Sequence, residues 1–242
     1  ANSKFTKYEI IKYYNLPSNS VNIVYPPVEE KDSIFKKHRK QVVSLGRFAP
    51  DKRQLEQIMI AQKLQSYHFY IVGFVNSKEY YGLCKKYIKK NRINNVTLVP
   101  DASKNEMGKL LSSSSYFIHS LRNEPFGITA VQAIQNSIIP IVHDSGGQRE
   151  IVPFSNLRYS NIKGAVKVFN YLSHIPNDKK QFYISELKSH IKIFSSDNFD
   201  RIVLTSNAKR LILPVILSNA RRKDIFGNGK LIFNKDRSLD KD

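Results

Sequence analysis

In SLRNEPFGITAVQA, residues 120 to 133, Glu124 comes just before Phe126, Gly127 and Ile128, where an amphipathic helix pattern begins. A carboxylate accepts hydrogen bonds from vicinal hydroxyls, and bare N–H groups at a helix start donate to an anion. The plainer reading of Glu124 is a helix-start acid satisfying the dipole. In SLGRFAPDKR, residues 44 to 53, Gly46 allows a tight turn. Arg47 and Lys52 can then converge on one anion beside the next helix, a phosphate site without a P-loop. Here the alternative is that Arg47 and Lys52 are surface charges and Asp51 an N-cap. Gly146 and Gly147, in HDSGGQREIV, imply a close backbone approach. Gly73 ends another strand pattern in VGFVNSKEY, where Ser77 is placed to cap a helix, and Ser103 with Glu106 forms a capping box after VPDA. No GxGxxG after a strand, GxxxxGK[ST], HExxH or GxSxG occurs, which counts against a dinucleotide oxidoreductase and a P-loop nucleotidase.

These loops need a frame that brings them to one edge. Strand patterns run at 21–25, 41–47, 68–73, 95–100, 116–120 and 138–143, with helix patterns at 51–65, 77–91, 103–113 and 127–136. Such alternation predicts an α/β fold, a Rossmann-like doubly wound parallel sheet whose apolar strands are covered on both faces. Helical periodicity continues through 164–176 and 201–213, followed by a hairpin at 224–233 centred on Gly-Asn-Gly and a disordered tail. The ligand is expected beyond the carboxyl ends of the strands.

Composition narrows the class. The chain has 242 residues, 41% of them hydrophobic, and a formal charge of +19. That charge admits nucleic acid, an anionic membrane surface or a phosphorylated small molecule as partner. Lys85, Lys86, Lys89 and Lys90 form a basic row on a helix whose other face is expected to carry Leu83, Tyr87 and Ile88, and a solvated face explains such a row. Arg221, Arg222 and Lys223 follow the apolar run LILPVIL at 211–217, which suits either a membrane-surface contact or a helix packed on its own domain. That run is too short to span a bilayer, and a cytoplasmic location is expected. The single cysteine, Cys84, excludes an intramolecular disulfide. With no HxxxH pair, no structural metal is expected. The chain begins at Ala1 rather than methionine and reads as a piece of a longer protein.

Together, NSKF…NIVYPPV, SLGRFAPDKR, VGFVNSKEYY and SLRNEPFGITAVQAIQNSIIPIVHDSGGQREIV resemble the donor-binding, C-terminal half of retaining glycosyltransferases of family 4. The resemblance runs from residue 1 to about 200 and implies one half of a GT-B fold. It implies an inter-domain linker and first strand region at 1–30, a nucleotide-sugar donor-binding domain at 31–200, and a basic helical extension with hairpin and tail at 201–242. NEPFGI with HDSGG is most similar to the mannosyltransferases that extend lipid-linked oligosaccharides from GDP-mannose.

By that resemblance Arg47 and Lys52, after Gly46, grip the donor diphosphate, offsetting charge on the leaving group by about 3 kcal/mol without a metal or other cofactor. Glu124 holds hydroxyls of the transferred sugar. The amides of Phe126, Gly127 and Ile128 face the distal phosphate and sugar. Backbone at Val99 and Pro100 meets the base, and Gly146 with Gly147 shapes the pocket. The family's second acid falls at Gln132, which keeps one acceptor and substitutes donors for the other, so a ribose contact reverses or is lost. The implied partners are a nucleotide-diphosphate sugar and a lipid-linked or glycan acceptor, with a peripheral contact at the cytosolic membrane face and no nucleic acid. Acceptor binding belongs to an N-terminal domain, so this chain is expected to bind donor weakly and to transfer nothing alone. Two rivals stay open: a degenerate donor domain with a regulatory or scaffold role, supported by Gln132, and a basic nucleic-acid-binding module.

Overall fold

The structure, a computed structural model, describes residues 1–28 and 38–205. In chain order its elements are α1 (Lys4–Tyr14), β1 (His38–Leu45), α2 (Gln54–Gln62), β2 (His68–Gly73), α3 (Lys78–Lys90), β3 (Val96–Pro100), α4 (Lys104–Ser113), β4 (Ser114–His119), α5 (Ile128–Gln135), β5 (Ile139–His143), α6 (Gln148–Ile151), β6 (Arg158–Tyr159), α7 (Ile162–His174), α8 (Asn177–Ile191) and α9 (Ser196–Thr205). A short 3-10 helix at Pro50–Lys52 leads into α2.

The six strands form one parallel sheet in the order β3-β2-β1-β4-β5-β6. The chain winds outward through β1, β2 and β3, then returns and winds the other way through β4, β5 and β6. Right-handed crossovers therefore place successive helices on opposite faces either side of β1 and β4, and a crevice opens between those two strands at their carboxyl ends. Helix α7 packs against α2, and α8 against α5.

Local signals explain the helices. Ser77 caps α3, Asn161 caps α7, and Ser103 with Glu106 completes a reciprocal capping box on α4. On α7, Ala165, Val168, Phe169 and Leu172 repeat at i, i+3, i+4 and i+7 and are all buried. Phe169 meets the rings of Tyr67, Phe69 and Tyr116 with centroids 5.1, 5.6 and 6.0 Å away. Val43, Phe117, Ile118 and Ile141 fill the sheet's centre with no exposed surface.

Four expectations need correcting. Residues 21–25 are no strand: Pro26 and Pro27 follow them without amide donors, and Val24 N–H goes to the Ala1 carbonyl rather than to a ladder. Residues 4–14, read as part of a linker, are helical, with Ser3 as N-cap. Strand β3 is only partly buried, because it is the sheet's edge. On α3, Leu83 is exposed; Cys84 is the buried residue, packed with Phe48, Ile58, Ile71 and Ile93, while Tyr87 and Ile88 flank that cluster. The four lysines of the row are exposed. Contacts divide the chain into units 1–199 and 200–242. The expected hairpin, the tail, and the apolar and basic segments at 211–223 lie outside the described residues, as does most of the helix pattern at 201–213.

Gly46 has room for a side chain, since a Cβ there would meet only Lys52 carbons at 3.8 Å. Gly73 has none: a Cβ would collide with the Gly46 carbonyl, and its carbon would lie 2.6 Å away. The glycine requirement between β1 and β2 thus sits at 73. Because the obstacle is backbone, Gly73→Ala is expected to cost about 1–3 kcal/mol, read as a lower urea midpoint, with Gly46→Ala the milder variant. Equal midpoints for the two would refute the assignment.

Candidate functional site

The loops after β1 and β4 face each other across the crevice. Lys52 Nζ and Glu124 Oε2 lie 3.5 Å apart, an ion pair with both side chains mostly covered. The stem of Lys52 lies over Gly46. Arg47 instead turns to Asp51, 3.0 Å away and four residues on, in a solvent-exposed pair of small energetic weight. The two cations expected to share one anion are thus held by different carboxylates. Asp51 caps nothing: Ala49 is the N-cap of the 3-10 turn and Arg53 that of α2.

The Glu124 loop is held by glycines. At Gly146, whose φ is +69°, a Cβ would lie 2.6 Å from Glu124 N and 2.7 Å from Asn123 C. A Cβ on Gly147 would strike the Pro125 carbonyl, and the Gly147 amide donates to the Glu124 carbonyl at 2.7 Å. Asn123 is itself left-handed, and its amide donates to Ser145 Oγ at 2.9 Å. Gly127, at φ +107°, starts α5. Among the described residues the amides of Phe126, Gly127 and Ile128 have no acceptor; those of Gly127 and Ile128 are the N–H groups a helix start leaves unpaired, and Phe126 comes just before them. The Phe126 ring points inward, against Tyr25 and Phe194. Gln132 is exposed on α5, one turn beyond the exposed Ile128. Val99 and Pro100 end the edge strand opposite Val72 and Gly73, with Pro100 exposed.

Three side chains not singled out in the sequence complete the site. Gln54 is buried, and its Nε2 donates to the carbonyls of Gly46 and Arg47 at 3.3 and 2.7 Å. Gln148 has no exposed surface, and its Nε2 donates to the carbonyls of Leu121 and His143 at 2.9 and 2.8 Å. Its Oε1 is therefore left to accept from His119 Nδ1, 2.7 Å away. A neutral His119 then presents a bare Nε2 to Glu124 Oε2, 3.6 Å away. Two acceptors face each other there, and Lys52 supplies the nearby donor. Polarity marked none of the three; the only signal was the position of His119 at the carboxyl end of a strand.

A cation, a carboxylate and free amides at a helix start, joined at the reversal of a parallel sheet, suit a phosphate and a hydroxylated group side by side. The family profile of glycosyl transferases group 1 matches residues 27–154, which carry this whole arrangement. The chain belongs to that family. A GDP-Man:Man(3)GlcNAc(2)-PP-Dol alpha-1,2-mannosyltransferase of Mus musculus is 27% identical over 168 residues, 61% of this chain and 34% of that protein. The chain thus spans about a third of the length of the curated relative. A glycosyltransferase from Rickettsia africae has the same fold, with a TM-score of 0.73 at 16% identity over 91% of this chain and 63% of its own. Anabaena Alr3699/HepE, crystallised with UDP and glucose, follows at 0.69 and 16%, over 84% and 61%. Both are GT-B glycosyltransferases, and the glycosyltransferase domain described here shares their doubly wound sheet.

Burial holds the pKa of His119 below its ordinary 6.5, against the opposing pull of Glu124 and the Gln148 bond, while Lys52 lowers it further. Well above pH 6.5 neither folded nor unfolded chain is protonated at 119. As pH falls through 6.5 the unfolded chain takes a proton that the folded site refuses, so stability drops. His68 and His143, also lowered chiefly by burial, add to the slope with the same sign. His119→Gln is therefore expected to flatten the loss of urea midpoint between about pH 7 and 5. An unchanged slope would mean that His119 is not held neutral.

Proposed function

We propose that this chain is the donor-binding domain of a retaining hexosyltransferase that takes mannose from GDP-mannose and extends a lipid-linked oligosaccharide. The observation that carries it is the Lys52–Glu124 pair across the β1/β4 crevice, beside the free amides that start α5. Lys52, with Arg47 turning in from Asp51, takes the diphosphate. Glu124 exchanges its lysine for sugar hydroxyls, and the amides of Phe126, Gly127 and Ile128 take the distal phosphate. Retention follows if the acceptor oxygen approaches the face the nucleotide leaves and donor phosphate oxygens receive its proton. The residues at 31–200 act as the donor domain, and acceptor recognition belongs to sequence outside this chain, so the isolated domain binds without transferring. No metal or other cofactor enters this scheme.

The similarity to the GDP-Man:Man(3)GlcNAc(2)-PP-Dol mannosyltransferase favours GDP-mannose and a lipid-linked acceptor, and the domain is proposed to act at the cytosolic face of a membrane. No helix among the described residues is long and apolar enough to cross a membrane. Any peripheral contact falls to the basic segment at 209–223. A second reading, a domain that binds donor without serving catalysis, draws on the exposed Gln132 where the resemblance expects an acid.

Titration calorimetry with GDP-mannose, UDP-glucose and a short oligonucleotide tests the proposal. Binding selective for GDP-mannose is expected, weakened about tenfold or more by Lys52→Met, with Arg47→Met milder. Indifference to both variants, or preferential capture of the oligonucleotide, would overturn it. Gln132→Glu is expected to tighten binding severalfold, about three to ten times, by restoring a second acceptor for the ribose.

A further inference from the structure

We infer that Ser3, with Thr6, is a positioning residue that aims the Phe126 amide, and that Glu150 holds helix α1 where Ser3 can do so. The inference rests on the donor site proposed above and adds helix α1 to it.

Ser3 has no exposed surface, and its Oγ donates to the Pro125 carbonyl at 2.5 Å. Thr6 Oγ1 donates to the same oxygen at 3.2 Å. That carbonyl and the Phe126 N–H belong to one planar trans peptide unit and point in opposite directions. Fixing the oxygen therefore fixes the direction of the N–H. Gly147 packs against the same peptide, leaving no room for a Cβ against Pro125 and Phe126. The peptide between Glu124 and the start of α5 is thus held by both α1 and the glycine pair.

Helix α1 holds its place by polar contacts at its first turn, since none of its own residues is fully buried. Both oxygens of Glu150 are taken: Oε2 by the Lys4 amide at 3.1 Å and the Tyr25 hydroxyl at 2.9 Å, Oε1 by the Phe5 amide at 3.1 Å. These are the amides a helix start leaves without an intrahelical acceptor, and a carboxylate there also opposes the positive end of the dipole. Burial, and then the bond to Glu150, raise the Tyr25 pKa, so the hydroxyl keeps the proton it donates. Glu150 lies in α6, directly after the Gly146–Gly147 pair, so one short segment grips both the Glu124 loop and the helix that orients it. As the N-cap of α1, Ser3 Oγ accepts from the Thr6 amide at 2.9 Å and lies 3.0 Å from Thr6 Oγ1, so the capped turn brings both hydroxyls to one carbonyl oxygen.

The test uses the 242-residue chain, the double variant Ser3→Ala with Thr6→Val, the conservative Ser3→Thr, and Glu150→Gln. The Phe126 amide resonance, read without nucleotide, is expected to move in the double variant and in Glu150→Gln and to stay near its native position in Ser3→Thr. Calorimetry is expected to show GDP binding about three- to tenfold weaker in the double variant, with GMP, which lacks the distal phosphate, unchanged. An unmoved Phe126 resonance, or equal losses for GDP and GMP with a lowered unfolding midpoint, would overturn the inference. If the native chain binds neither nucleotide, the proposed function fails, while the Phe126 resonance still decides whether α1 aims the amide.

Discussion

Backbone pressed on backbone, with no space for a Cβ, is the constraint on which this site depends. Gly73 meets the carbonyl of Gly46, Gly146 meets Glu124 and Asn123, and Gly147 meets Pro125. Each contact ties a loop at the carboxyl end of one strand to the neighbouring strand's loop, so the polar groups face the crevice from fixed supports. A crevice built this way needs little reorganisation when a charged ligand enters, which is where preorganised groups contribute most.

The same constraint explains what the sequence revealed. Strands β2 and β5 follow their apolar runs to within a residue, since buried parallel strands leave continuous hydrophobic stretches bounded by turn residues, and the edge strand β3 keeps its run although it is only partly buried. The ends of α3, α4 and α5 were readable because caps and glycines are local chemistry. Strand β6 was not, being two residues long and held by the neighbour it pairs with. Residues 21–25 look like a strand by composition, but a strand needs an edge to join. This segment instead places Tyr25 between Phe126 and Phe194.

Within the site, charged residues were visible and their supports were not. Lys52 and Glu124 stand out because each sits by a glycine or at a helix start. Gln54 and Gln148 look like ordinary surface polars, yet both are buried and hold backbone carbonyls. An amide side chain joins loops without the desolvation cost of a charge, so it leaves no mark in a charge pattern. Arg47 shows the opposite case: its type was informative, but its partner Asp51 lies four residues on and satisfies it locally.

The remaining tension lies between His119 and Glu124. Gln148 commits the imidazole's proton to Nδ1, so the neutral ring offers Glu124 a lone pair, and among the described residues it is Lys52 that supplies the carboxylate with a donor. A ligand that draws Lys52 toward phosphate must itself provide a donor to Glu124, and a sugar hydroxyl does so. A phosphate without a hydroxylated neighbour would instead leave carboxylate and imidazole facing each other unpaired, at the cost that attends buried acceptors without donors. Under the proposed function, discrimination between a nucleotide sugar and a bare phosphate would arise beneath the site, from the way one buried glutamine amide is turned.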